Sequence, residues 1–466
     1  MMFEINGFGV MGGVEEYDRQ RARHLDADDP FAVFRNQFRI PTAEDDPEAP
    51  CVYLCGNSLG LLSDSAQDRV HRHLEKWARR GVGGHFGGTD AWVDIENGTS
   101  QSQASMDLVG ARFSHEVVYM NSLTVNLHLL MTAFYRPRGT RTKILIEDKA
   151  FPSDCHAVFT HLASRGFTDP AAHTIVVKPR PEEYVLRKED IIEAIVANRD
   201  ELALVMLPGV QYYTGQVLPM QDIAAVCNEL RIPFGLDLAH AVGNVVLCLH
   251  EWGVDFGVWC SYKYLNGGPG GVAGAFMHDK HANKDVFELP RLGGWWGHDP
   301  ETRFEMGPEF VPRKGILGFQ LSNPPVLALA PLLASLDVFE AAGGVYALRQ
   351  KSVQQTEFLI ELLNKYLAGG DGAGHGDAAR GSLFRIITPL DDEEARGCQI
   401  SILLTQGRAK DIHALLARNG VVCDTREPDV LRVAPVPLYN SFSDVLTFVD
   451  MLAHACRVVY SKHAHH

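Results

Sequence analysis

The sequence predicts an α/β protein. It has a mostly parallel seven-stranded sheet with helices on both faces and a smaller C-terminal α/β domain. Three observations carry this. Short β-like runs alternate with helix-like stretches from about residue 116 to residue 277. The runs are apolar almost throughout, as strands covered on both faces are. Polar residues gather just past the ends of several runs, where open parallel sheets bind ligands.

Taken in order, residues 1–60 read as an acidic N-terminal arm, with a helix near Val14–Leu25 and a short strand over Cys51–Cys55. Gly56-Asn57-Ser58-Leu59-Gly60 then makes a tight turn. A large domain is expected over residues 61–325. It opens with a helix from Ser65 to Arg80, in which Val70, Leu74 and Trp77 recur at helical spacing. A glycine-rich loop around His85 follows. The seven strands are placed at Glu116–Met120, Lys143–Glu147, His173–Val177, Leu202–Pro208, Pro233–Asp237, Asp255–Cys260 and Val272–Met277. Helices are placed between several of them, around Leu123–Tyr135, Asp154–Arg165, Lys188–Asn198 and Met220–Leu230. The small domain is expected over residues 326–466. Its first helix is read as capped by Asn323 ahead of Pro324-Pro325, and a low-complexity glycine-rich loop covers 369–382.

Composition excludes several classes. The net charge of −15 argues against nucleic acid and against adhesion to anionic membranes. No run of eighteen apolar residues and no N-terminal signal pattern occurs, so a cytoplasmic enzyme is expected. The nine cysteines are scattered without a C-x-x-C pair and read as reduced thiols, with no metal site expected. There is no G-x-x-x-x-G-K-[ST] loop. Gly268-Pro269-Gly270-Gly271-Val272-Ala273 fits a dinucleotide fingerprint only nominally, because it leads into a strand.

The chemistry centres on Lys263. It follows the apolar run Asp255–Cys260 in Ser261-Tyr262-Lys263, ahead of a glycine-rich turn. Most lysines are surface charges, but one emerging from a buried strand is usually paired or covalently used. A lysine amine forms a Schiff base with carbonyl compounds, among them pyridoxal 5'-phosphate (PLP). Twenty-six residues upstream, an apolar run ends at Asp237, with His240 three residues on. An aspartate there can pair with a protonated pyridine nitrogen; its bland alternative is a helix cap. Leu123 and Thr124 follow one strand, and Phe151, Pro152, Ser153 and Asp154 follow the next. Thr124 and Ser153 are phosphate ligands or N-caps, and Tyr262 is a further phosphate donor or a half-buried tyrosine at a strand end. Phe151 is a ring to stack on the cofactor or a core residue. Arg432, in an apolar segment, wants a carboxylate partner, either an amino-acid substrate or a structural aspartate.

With these residues in place, the chain resembles the fold-type I, aminotransferase class V-like PLP enzymes, and among them the kynureninase family over nearly its whole length. The resemblance is carried by Tyr53–Leu61, Asn121–Met131, Lys149–Asp154, Tyr213–Gln216, Asp237–Asn244, Trp259–Asn266, Gly294–His298, Ser322–Pro325 and Arg432–Asn440. It implies hydrolysis of the Cβ–Cγ bond of L-kynurenine or its 3-hydroxy form, giving an anthranilate and L-alanine in tryptophan catabolism and NAD biosynthesis. It implies that Lys263 holds PLP and acts as the base at Cα, that Asp237 keeps the ring electron-poor, and that Tyr262 donates a proton. It places Arg432 on the substrate carboxylate, Ser58, His85 and Asn323 in the substrate site, and Trp295 and Asn323 on the cofactor from the partner of a homodimer. Two departures stand out. Pro208 occupies a position where a small hydroxyl residue near the phosphate is expected, and the loop at His85 is richer in glycine than the family's. The rivals are a cysteine desulfurase, an aminotransferase, or a non-catalytic member of the fold.

Overall fold

The computed structural model describes residues 13–43, 46–88, 90–367 and 383–463. The described residues form two compact units. One comprises Asn57–Arg349 with Pro389–Gly397; the other comprises the described parts of Met1–Gly56, Gln350–Thr388 and Cys398–His466. The glycine-rich loop over 369–382 and the terminal His465-His466 lie outside the described residues.

In the large unit the sheet strands are β1 (Val117–Tyr119), β2 (Lys143–Glu147), β3 (Thr174–Val177), β4 (Leu202–Pro208), β5 (Phe234–Asp237), β6 (Phe256–Cys260) and β7 (Ala273–Met277). Their order across the sheet is β1-β7-β6-β5-β4-β2-β3. The five strands from β6 to β3 are parallel, while β7 runs antiparallel to both β6 and β1. Every residue of β4 and β6 is buried, which explains their unbroken apolar runs. The large-unit helices are α1 (Asp64–Arg80), α2 (Leu123–Phe134), α3 (Pro152–Ser164), α4 (Lys188–Ala197), α5 (Met220–Leu230) and α6 (Val326–Ala341). Helix α2 packs on β6 and β7, α5 on β5, and α4 on β3. Leu127, Leu130 and Phe134 of α2 meet Ile144, Val258 and Ala275 in one core.

In the second unit β8 (Phe384–Ile386), β9 (Ile400–Leu404), β10 (Asp424–Arg426) and β11 (Val430–Val433) form an antiparallel sheet in the order β8-β9-β11-β10. Its core joins Leu359, Leu362, Ile402, Leu431, Phe448 and Leu452.

Three expectations are corrected. The N-terminal segment is not a separate arm: Val52-Tyr53 pairs with Val421-Val422, and the helix Glu16–Ala27 packs on the last helix, Phe442–His463. The stretch 326–349 belongs with the large unit, because α6 packs along α1. Asn323 does not cap α6. Pro325 holds the cap position without a side-chain bond, and Asn323 Oδ1 accepts instead from the Ser322 hydroxyl at 3.2 Å.

The apolar stripe of α1 also behaves unexpectedly. Leu74 is 40% and Trp77 59% exposed, while His73 and Ala66 are buried. Periodicity finds an amphipathic helix but not which face meets the core. Among the described residues no single helix is long and apolar enough to cross a membrane.

Candidate active site

One cavity of about 100 Å³ lies at the carboxyl ends of the parallel strands in the large unit. Pro208 and Asp237, the last residues of β4 and β5, stand side by side in register. Glu147 ends β2, and Lys263 follows β6. All four line the cavity.

Lys263 is held on several sides. Its Nζ lies 2.8 Å from Nε2 of buried His240 and 6.0 Å from the centre of the Phe151 ring. Its backbone is clasped by the turn that begins at Asn57. Gly60 N–H donates to Tyr262 O at 2.8 Å, and Leu61 N–H donates to Asn266 Oδ1 at 3.1 Å. A Cβ on Gly60 would sit 2.2 Å from Lys263 O, so only glycine permits this approach. Beside the lysine, burial raises the pKa of the Tyr262 phenol, with neighbouring Cys260 adding to it. Tyr262 therefore keeps its proton at neutral pH.

Opposite stand two helix starts. Leu123 and Thr124 open α2, and Pro152, Ser153 and Asp154 open α3. Neither Thr124 nor Ser153 caps its helix; Thr124 Oγ1 and Ser153 Oγ lie 2.9 Å apart instead. Two hydroxyls and two helix N-termini facing one cavity make an anion cradle.

The third wall is acidic. Asp237 is 8% exposed and accepts from Ala239 N–H through Oδ1 at 2.8 Å. The carboxyl of Asp154 hydrogen-bonds with that of Asp237; burial first, and then Asp237, lift the Asp154 pKa well above the usual carboxylate range. Burial, with Asp237 and Asp148 adding to it, raises Glu147 to about 8. This crowding of carboxyls calls for a protonated heterocycle beside them. The donor set therefore fits PLP: hydroxyls and helix starts for its phosphate, acids for its ring nitrogen and an amine for its aldehyde, all lining one cavity.

Of the residues singled out in the sequence, Leu123, Thr124, Phe151, Ser153, Asp154, Asp237, His240, Tyr262 and Lys263 line this one cavity. Pro152 opens α3 just outside the lining. Ser58, His85, Trp295 and Asn323 do not line the cavity. His85 and Trp295 are instead joined by a run of rings. His85 lies 5.9 Å from Phe86, Phe86 lies 6.1 Å from Phe304, and Phe304 lies 6.2 Å from Trp295. Arg432 is in the other unit, where its structural partner is Asp424. Nε donates to Oδ1 at 2.7 Å and Nη2 to Oδ2, a bidentate pair with the guanidinium fully buried.

The sequence reading missed Glu147, Val210, Tyr212 and Ala239 in the lining, and noted Pro208 only as a departure. The signal for Glu147 was available: an acid ends an apolar strand there, as it does at Asp237. Tyr212 meets Phe151 edge-on at 5.2 Å and braces that ring.

Comparison with known proteins gives a consistent picture. The profile of the family described as "Aminotransferase class-V" matches residues 95–366, and that described as "Kynureninase C-terminal domain" matches residues 348–452. A kynureninase of Coccidioides immitis is 44% identical, covering 95% of this chain and 94% of its own. One from Xanthomonas oryzae is 47% identical over 93% of this chain and 97% of its own, and one from Nematostella vectensis is 45% identical over 95% and 94%. Among solved structures, a cysteine desulfurase from Escherichia coli superposes with a TM-score of 0.67 at 16% identity over 92% of this chain and 98% of its own. A cysteine desulfurase from Thermococcus onnurineus gives 0.68 at 14% over 93% and 98%. These two share the fold-type I architecture.

Proposed function

From the premise that this chain belongs to the kynureninase family, we propose that it is a PLP-dependent hydrolase. It cleaves the Cβ–Cγ bond of L-kynurenine, its 3-hydroxy form, or both, in tryptophan catabolism and in the cytoplasm. The observation that carries this is the cavity in which Lys263, Tyr262, Asp237, Asp154 and the Thr124–Ser153 pair converge.

Thr124, Ser153 and the two helix starts would hold the phosphate of the cofactor, Asp237 and Asp154 its ring nitrogen, Phe151 its ring face and Lys263 its aldehyde carbon. When bound, PLP holds the substrate nitrogen and draws electrons from Cα and then from Cβ. The amine of Lys263, steered by His240 at 2.8 Å, removes the proton from Cα. Asp237 supplies the counter-charge at the far end of the cavity. Water adds at the Cγ carbonyl; cleavage leaves the aromatic acid and a three-carbon fragment. Tyr262, protonated and adjacent to the lysine, gives Cβ of that fragment its proton, the Lys263 ammonium returns the proton it took to Cα, and L-alanine results. Atoms balance: one water is consumed, its oxygen entering the aromatic carboxylate and its hydrogens shared between the products. Reaction in water labelled with heavy oxygen is expected to place the label in the aromatic carboxylate. Unlabelled product would exclude hydrolysis at Cγ.

Arg432 is assigned to the substrate α-carboxylate, its plane fixed by Asp424. Arg432→Lys keeps the charge but loses the fork, and KM is expected to rise by about 10- to 100-fold with the cofactor still bound. Arg432→Ala strands Asp424 and is expected to cost about 3–5 kcal/mol of stability as well. Urea melts and steady-state kinetics on both variants check this. Unchanged KM in Arg432→Lys would move the carboxylate site elsewhere.

A homodimer is part of the same reading. Trp77, Val82, Phe86, Trp295, Phe304 and Met306 are 59%, 79%, 65%, 45%, 57% and 79% exposed, and the rings of Phe86, Phe304 and Trp295 lie against one another as one apolar patch. A second copy is the occupant proposed. Trp295 then reaches the partner's cofactor with Asn323, and His85, on the same run of rings, travels with it toward the partner's substrate. Phe304→Asp is expected to lower the mass seen by light scattering to that of a monomer and to abolish turnover. An active monomer would refute the shared site.

The desulfurase alternative needs an activated thiol. Burial raises the pKa of Cys51, Cys155, Cys227, Cys248, Cys260, Cys423 and Cys456, the reverse of activation.

A further inference from the structure

Glu147 has no part in the chemistry described above, yet it lines the same cavity as Asp154, Asp237 and Lys263. It is 4% exposed and has no ion-pair partner among the described residues. The backbone holds it rigidly there. It is the last residue of β2, paired with Val177 of β3 on one side, while β4 flanks the strand on the other.

We propose that Glu147 is a positioning residue of the cofactor pocket: a buried carboxylic acid that keeps its proton at neutral pH and so fixes the charge of the acid cluster it forms with Asp154 and Asp237. The argument is one of charge counting. Asp154 and Asp237 already share hydrogen-bonding distance, and Lys263 is the amine among the groups lining the cavity. With a proton held between Asp154 and Asp237, an ionised Glu147 would be a second negative charge in so enclosed a space and would repel the first. A third apolar side chain would leave the two aspartates without a polar wall. A neutral acid meets both conditions. The groups facing it are Asp154 and Cys155 from α3, Asp237 and His240 from the β5 end, Lys263 from the turn after β6, and its own neighbour Asp148. This inference rests on the PLP reading for its purpose, but the protonation itself belongs to the protein alone.

Two variants test it with readouts other than turnover. Glu147→Gln is neutral at every pH and close in shape. Glu147→Ala removes the polar wall. The first readout is the thermal midpoint of the full-length chain, stripped of cofactor, against pH. A carboxyl whose folded pKa lies near 8 rather than 4.5 stabilises the fold fully below the lower value, and that stability is lost as pH rises toward the upper one. Wild type is therefore expected to lose midpoint relative to Glu147→Gln between these pH values, the gap closing in acid. The second readout is cofactor affinity and the pH titration of its visible band. Glu147→Gln is expected to match wild type at neutral pH. Glu147→Ala is expected to bind cofactor about tenfold more weakly or worse, with the band's titration displaced.

A pH-independent gap between wild type and Glu147→Gln would overturn the proposal, because it would mean the group is ionised throughout. So would cofactor loss in Glu147→Gln equal to that in Glu147→Ala. Failure of wild type to bind PLP would refute the cofactor reading instead, and the stability series would still decide the state of Glu147.

Discussion

Lys263→Ala is expected to lower kcat by at least about 10⁴-fold and to remove the visible absorbance of the bound cofactor. The two losses have separate causes. In the proposed function the amine would be the cofactor's covalent anchor and would also move the proton at Cα once substrate has taken its place. The setting is built around that atom: His240 Nε2 at 2.8 Å, the Phe151 ring at 6.0 Å, and the turn ending at Gly60 holding the backbone. Alanine leaves the fold intact, since Lys263 contributes no buried apolar contact to the core. Added methylamine is expected to restore a small part of the turnover by supplying a free base. Retention of the visible band together with turnover would show that another amine does the work.

Asp237→Asn is expected to lower kcat by about 10²- to 10³-fold with a smaller effect on KM. In the proposed function the carboxylate would be the counter-charge that keeps a ring nitrogen protonated, which an amide of the same shape cannot supply. The backbone role of Asp237 survives the change, because asparagine can still accept from Ala239 N–H. Asp154, in hydrogen-bonding reach, offers a partial substitute, which is why the loss is smaller than for Lys263. The double variant with Asp154→Asn is expected to fall to the level of Lys263→Ala. Steady-state kinetics and the pH titration of the cofactor band measure both. An Asp237→Asn enzyme with unchanged kcat would remove the counter-charge from the account.

The parts of this protein that were legible in its sequence are those governed by local pattern. The apolar runs at Lys143–Glu147 and Leu202–Pro208 coincide with strands because a strand buried on both faces must be apolar throughout. Asp237 and Lys263 stood out because a charge at the end of such a run is expensive unless it is used. Glu147 met the same criterion and was passed over, hidden by a strand that seemed complete with it. What was not legible depends on which surfaces meet. The stripe of Leu74 and Trp77 gives the helix but not the side facing solvent. The pairing of Val52-Tyr53 with Val421-Val422 joins residues hundreds of positions apart and leaves no local trace. Arg432 called for a carboxylate, and only the structure shows that Asp424 provides one. Asn323 looked like a cap beside Pro324-Pro325, yet the cap position fell two residues later, at Pro325.

The most direct test of the central claim is product analysis. The PLP-loaded protein is mixed with L-kynurenine, and separately with 3-hydroxy-L-kynurenine, and the aromatic acid and alanine released are quantified. The account predicts equimolar anthranilate, or its 3-hydroxy form, and L-alanine from at least one of them, with the larger kcat/KM naming the preferred substrate. Release from neither, while the visible cofactor band forms normally, would contradict it.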